Sequence, residues 1–281
     1  MIRKKRLEAL VCEGEQMVEQ LVNLAKKNAL NPGDFLLCYA NGGYAWDDTS
    51  PMVGYGEEGL DSLQKINEIM TMSIDTTDDD DYFKKNGEQL TFMSNELNQS
   101  TSRELWHYVD IWENAYFLRI FAQLANLINH DHYDWRLSVY GETRKGGRTT
   151  FIREHIVKRL VEYPTIHAFV KEAAVSQLRN AIAHAKYHIV PGGILLDNYN
   201  DDKYATLQGV TFEQWERIYI HSIALFRIIL SFLRQYSQEY KKKIDALDMP
   251  GYPILIPSVD GQWSEAFIRP NEDATIWRFI H

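Results

Sequence analysis

Between His167 and Ile189 the chain reads HAFVKEAAVSQLRNAIAHAKYHI. Four residues turn a helix by about 400°, so Glu172, Ser176, Asn180, His184 and His188 are expected along one face. Arg179 flanks that stripe with a side chain long enough to reach across it. An imidazole titrates near neutrality and suits proton transfer, and a guanidinium grips anionic oxygens through two parallel hydrogen bonds. Asn180, one turn before His184, is placed to orient the ring. Ala173, Ala174, Ala181, Ala183 and Ala185 surround the stripe, where a plain solvated face would carry Lys and Glu. The pattern suits a helix packed close to another, with Arg179 and His184 facing one open groove and His188 as an auxiliary group.

The segment LRNAIAHAKY resembles the Arg-x4-6-His motif of HEPN domains, with Arg179 and His184 as its ends, four residues between them and a polar Asn180 directly after the arginine. The resemblance covers about residues 101–240. It implies a helical bundle and metal-independent cleavage of RNA, in which the 2′-hydroxyl attacks the neighbouring phosphorus. His184 would then handle protons and Arg179 the phosphate charge. One imidazole serves one proton transfer at a time, so the resemblance also implies a homodimer with a composite site. The implied setting is a bacterial defence or toxin-type system, with an antitoxin or regulatory protein as a further partner. The alternative is a non-catalytic interaction or scaffold protein built on the same bundle.

The elements that would position these residues can be read from periodicity. Apolar residues from Leu7 to Leu24 recur at helical spacing and predict a helix over 5–29, stopped by Asn31-Pro32-Gly33. A loop with a short strand at 35–39 is expected next, then a helix over 60–72. Thr101 and Glu104 read as a capping box opening a helix over 102–129, whose buried face uses Leu105, Val109, Trp112, Tyr116, Ile120, Leu124 and Leu127. Further helices are expected over 150–162 and 164–187. A hairpin is expected from 194–196 and 204–207, and a helix capped by Thr211 and Gln214 should run to about 243. The expected fold is mainly α, a helical bundle over 101–245 with a minor β hairpin. Residues 1–100 form an accessory region and the proline-spaced tail 246–281 supplies short strands or an extended wrap.

Composition sets the frame. The net charge is −9, with 45% hydrophobic and 25% charged residues, which is ordinary for a globular chain and argues against strong nonspecific nucleic-acid binding. Residues 141–159 go the other way, with a local net of +4. Arg144, Lys145, Arg148 and Arg153 are therefore the candidate RNA-binding cations. Cys12 and Cys38 are too few for a disulfide framework, which points to a reducing cytoplasm. No stretch has the length and apolarity of a membrane span.

Other constellations are weaker. The run Asp75–Asp81 lacks the glycine and closing glutamate of a calcium loop. His130-Asp131-His132 would need His107 to hold a metal, but on one helix the two would stand roughly 34 Å apart. The glycine-rich stretch 141–148 matches no nucleotide-binding loop. No cofactor or metal is implied.

Overall fold

In the computed structural model of the chain, the described residues are 2–44, 50–54, 59–79, 81, 95–139, 147–199, 205–258 and 261–280. The chain opens on a two-residue strand β1 (Ile2–Arg3) and a long helix α1 (Lys4–Asn28). Leu10, Val18, Leu21 and Val22 form one buried face of α1, as their spacing predicts. Asn31 caps the next helix, α2 (Pro32–Ala40), by accepting from the Gly33 N–H at 2.9 Å, with Pro32 at the first helical position. The strand expected at 35–39 is therefore a helix. Asn-Pro-Gly ends α1 and also starts α2, because proline lacks the N–H that a first turn leaves unused.

Two short strands, β2 (Gly43–Tyr44) and β3 (Pro51–Met52), pair with each other. Next come a helix α3 (Gly59–Thr71) and a strand β4 (Thr76–Thr77), parallel to β1.

The helix expected over 102–129 is two: α4 (Asn95–Glu113) and α5 (Ala115–Ile128). Asn114 divides them, its Oδ1 accepting from the Phe117 N–H at 2.9 Å. Helix N-caps favour such side chains because they satisfy otherwise orphaned donors. Thr101 and Glu104 do not cap a start. They lie buried inside α4, where the Glu104 carboxylate accepts from the Trp215 indole N–H at 2.8 Å. Helix α5 is buried on every side, the pattern of a helix wrapped by others.

Residues 147–160 run as a short helix α6 (Gly147–Phe151), a π turn over Ile152–Val157 and a 3-10 turn over Lys158–Leu160, in place of one regular helix. The helix expected over 164–187 is also two, α7 (Pro164–Ala173) and α8 (Ser176–Ala183). The buried Tyr108 hydroxyl sits in the break, accepting from the Val175 N–H at 3.0 Å and donating to the Ala173 carbonyl at 3.1 Å. It supplies the bonds the backbone loses there, so the break leaves few orphaned polar groups.

Beyond α8 lies a three-stranded antiparallel sheet: β5 (Tyr187–Val190), β6 (Gly193–Leu196) and β7 (Gly209–Thr211), with β6 central. The strand 194–196 therefore pairs with 187–190 and 209–211 rather than with 204–207. The capping box at Thr211 and Gln214 is present and opens α9 (Phe212–Ala246). At 35 residues, α9 is about 52 Å long. It is the spine of the molecule, packed by α1, α2, α4 and α7. The tail forms a second three-stranded antiparallel sheet, β8 (Tyr252–Pro257), β9 (Trp263–Pro270) and β10 (Trp277–Phe279), with β8 against α2. The chain is thus mainly helical with small sheets. Among the described residues no helix is long and apolar enough to cross a membrane.

Candidate functional site

Helix α8 has only eight residues, and its position is fixed by Leu178, Ala181 and Ile182, all fully buried. That burial carries Arg179 inward with them, leaving it 4% exposed. Its guanidinium meets three elements. Nη1 lies 2.8 Å from the Glu113 Oε1 at the end of α4. Nη2 donates to the Thr149 Oγ1 on α6 and to the neighbouring Asn180 Oδ1, each at 2.6 Å. Burial pulls the Arg179 pKa down from its ordinary value, and the Glu113 charge pulls it back up. A guanidinium keeps its proton in either case.

Glu113 holds two arginines. Its second oxygen lies 3.5 Å from the Arg148 Nε, and Arg148 also donates from Nη1 to the Val139 carbonyl at 3.0 Å. A carboxylate on the last residue of a helix faces the negative end of the macrodipole, an unfavourable place that two guanidiniums offset. The Nη1 contact of Arg179 is close but poorly aligned, and its Nη1 and Nε lack well-directed hydrogen bonds. The attraction is therefore mostly that of point charges. Asn180 is pinned through its Oδ1, so the turn leading to His184 is held from below.

His184 ends α8. Its N–H donates to the Asn180 carbonyl at 3.1 Å, and its side chain is exposed. Its backbone (φ −106°, ψ 13°) lies in the sparsely populated bridge region. The next residue, Ala185, has φ +52°. The Lys186 N–H closes on the Ala181 carbonyl at 2.7 Å and the Ala185 N–H on the Ile182 carbonyl at 3.1 Å. This is a Schellman end with alanine where glycine is usual. Exposed Ala183 and Ala185 flank His184, so little side-chain bulk stands beside the ring.

The structure brings together Arg179, Asn180 and Arg148 around Glu113, with His184 one turn beyond Asn180. It does not turn Arg179 and His184 toward one open groove. Five residues rotate a helix by about 500°, so the two leave α8 roughly 140° apart: the arginine points into the seam and the histidine into solvent. The break at Ala174 and Val175 also ends the expected polar stripe. Glu172 belongs to another cluster, bonded to Arg217 at 2.8 Å. His188 lies on β5, with its Nε2 2.9 Å from the Asp197 Oδ2. Arg153 is exposed on the π turn and bonds Glu154 at 2.8 Å. Arg144 and Lys145 lie outside the described residues.

Glu113, Thr149 and Tyr108 are the site residues that the spacing argument missed. Glu113 adjoins Asn114, the cap that splits the expected long helix, and recognising that cap would have placed a carboxylate at a helix end. Among the described residues no three His, Cys, Asp or Glu side chains are grouped to hold a metal. No protein-family model matches the chain, and no curated protein or solved structure matches it either.

Proposed function

We propose that the chain is a HEPN-like endoribonuclease that cleaves RNA without a metal, by attack of the 2′-hydroxyl. The observation that carries this reading is His184: an exposed imidazole without a side-chain partner among the described residues, on a helix end braced by Asn180, Arg179 and Glu113. In this reading His184 transfers the proton. Arg148, with its side chain at the rim of the cluster, meets the phosphate. Arg179 acts mainly as a positioning residue, fixing Asn180 and through it the turn that carries His184. A second copy of the chain, approaching over Ala183 and Ala185, supplies the second imidazole that an acid–base pair requires. A bacterial defence or toxin-type role, with a regulatory partner protein, belongs to the same proposal.

A different class of function draws on the burial of Arg179. An arginine closed in by Glu113, Thr149 and Asn180 is also what a structural strut looks like, and a non-catalytic interaction protein would need no more. The two readings separate on single-stranded RNA in EDTA. The first expects cleavage, and a fall of about 10²–10⁴-fold in His184→Ala with unchanged circular dichroism, because the ring is exposed. Full activity in His184→Ala, or no cleavage by the unaltered chain as monomer or dimer, leaves the strut reading in place.

A further inference from the structure

A cavity of about 450 Å³ opens between α2, α3, α5, α9 and the tail sheet, and none of its lining residues belongs to the Arg179 cluster. That is within the range of small-molecule sites. Its walls are mostly apolar: Met70 from α3, Tyr116 from α5, Leu230 from α9 and Trp277 from β10. The Tyr116 hydroxyl donates to the Tyr39 carbonyl at 3.2 Å, which ties α5 to α2 at the wall. Trp277 is fully buried and donates its indole N–H to the Ser237 Oγ at 2.8 Å, so that wall is anchored from behind.

Beside the neutral Asn67, Ser231 and Thr275, two groups suited to an anion stand in the lining. Arg234 lines it from α9 and Tyr39 from α2. Burial raises the phenol pKa of Tyr39, and the positive charge of Arg234 lowers it again, so the two groups feel each other in the cavity. Among the described residues neither the Tyr39 hydroxyl nor the Arg234 guanidinium has a hydrogen-bond or ion-pair partner. Among the described residues no carboxylate lines the cavity, although the chain as a whole carries −9. One cation against apolar walls gives a focused positive field, and a guanidinium matches carboxylate and phosphate oxygens in pairs. Past the rim, Arg234 and Thr275 are shared with a groove that also holds Lys241, Lys242, Glu272 and Asp273, so the added charges there offset one another and the single cation of the cavity sets the charge it takes.

We infer that this cavity is a binding site for a small aromatic monoanion, its ring held between Met70, Tyr116 and Leu230 and its charge on Arg234 and the Tyr39 hydroxyl. The anion is a carboxylate or a phosphodiester. The site stands apart from the proposed nuclease centre and does not depend on it.

The test uses the full chain and calorimetric titration with two matched pairs of probes. Indole-3-carboxylate is set against indole-3-carboxamide, and cyclic adenosine monophosphate against adenosine. At least one anion is expected to bind about tenfold or more tightly than its neutral counterpart, and which one does so identifies carboxylate or phosphodiester. Arg234→Leu removes that preference, Arg234→Lys keeps part of it, Ser231→Trp blocks both members of the pair, and His184→Ala leaves binding unchanged. Arg234 and Ser231 are exposed, and a thermal melt checks each variant's fold. The inference is overturned if neither anion binds at about 10 mM, if the neutral probes bind equally well, or if the preference survives Arg234→Leu or Ser231→Trp.

Discussion

Replacing Glu113 by glutamine removes one charge and almost no volume. It leaves the Arg179 guanidinium, whose side chain is 5% exposed, without its counter-ion. At 2.8 Å and an effective dielectric of about 20, the gross attraction is about 6 kcal/mol. Much of that does not reach the stability. The Glu113 side chain is 40% exposed, and loss of its charge relieves the repulsion at the end of α4. Breaking a fully buried pair costs about 3–5 kcal/mol and an exposed one about 0–1, so a net loss of about 2 kcal/mol is expected. Urea unfolding followed by circular dichroism should show the midpoint fall with an unchanged slope. A double-mutant cycle with Arg179→Met isolates the pair: the double variant should be clearly more stable than the summed single losses imply. A Glu113→Gln loss below about 0.5 kcal/mol, or additive single losses, would refute the bracing role given to this carboxylate.

The same geometry yields three further expected outcomes. Ala185→Gly should stabilise the chain by about 1 kcal/mol, because glycine adopts φ +52° without the Cβ penalty; a loss of stability on chemical denaturation would contradict the Schellman end. Tyr108→Phe strips the break between α7 and α8 of the hydroxyl that serves both Val175 and Ala173. It should cost about 2 kcal/mol, with hydrogen exchange at Val175 rising more than within α8. His221 is fully buried, with ring nitrogens 3.5 Å from Glu172 and 3.8 Å from Glu13. Burial pushes its pKa down, Arg217 and Arg6 act the same way, and the two glutamates oppose them. A lowered folded pKa means that the stability His221 contributes is complete above its ordinary pKa of about 6.5 and is lost as pH falls through and below that value. His221→Leu should flatten the unfolding free energy between about pH 7 and 5, and an unchanged slope would exclude His221 as the cause. Arg217 holds the Glu172 carboxyl below its usual range, so that group acts lower on the pH scale.

Much of the bundle was legible where one residue type decides one feature. The apolar spacing in α1, the Thr211–Gln214 box and the proline-spaced tail strands all act through local chemistry, and each stands where its pattern predicts. The misreadings share a cause: continuous helical periodicity hides a break that another part of the chain stabilises. Asn114 divides α4 from α5 through a local cap that was readable. The break at Ala174 and Val175 depends on Tyr108, more than sixty residues away, and no local pattern reports it. The site divides in the same way. Arg179, Asn180 and His184 were visible as types and spacing, but their directions were not. Arg179 turns inward because Leu178 and Ile182 must be buried and because Glu113 and Thr149 wait for it in the seam. Asn-Pro-Gly at 31–33 shows a third limit. The same three residues end one helix and cap another, and the unbroken burial of Phe35–Cys38 marks a packed helix there in place of a half-exposed strand.

The most direct measurement is the chemistry of the ends left on RNA. The full chain is incubated with single-stranded RNA in EDTA, beside the same RNA carrying 2′-O-methyl groups. Attack by the 2′-hydroxyl predicts fragments with a 2′,3′-cyclic phosphate and a 5′-hydroxyl, and no cutting of the methylated strand. Fragments with a 5′-phosphate, cleavage of the methylated strand, or RNA left intact would contradict it.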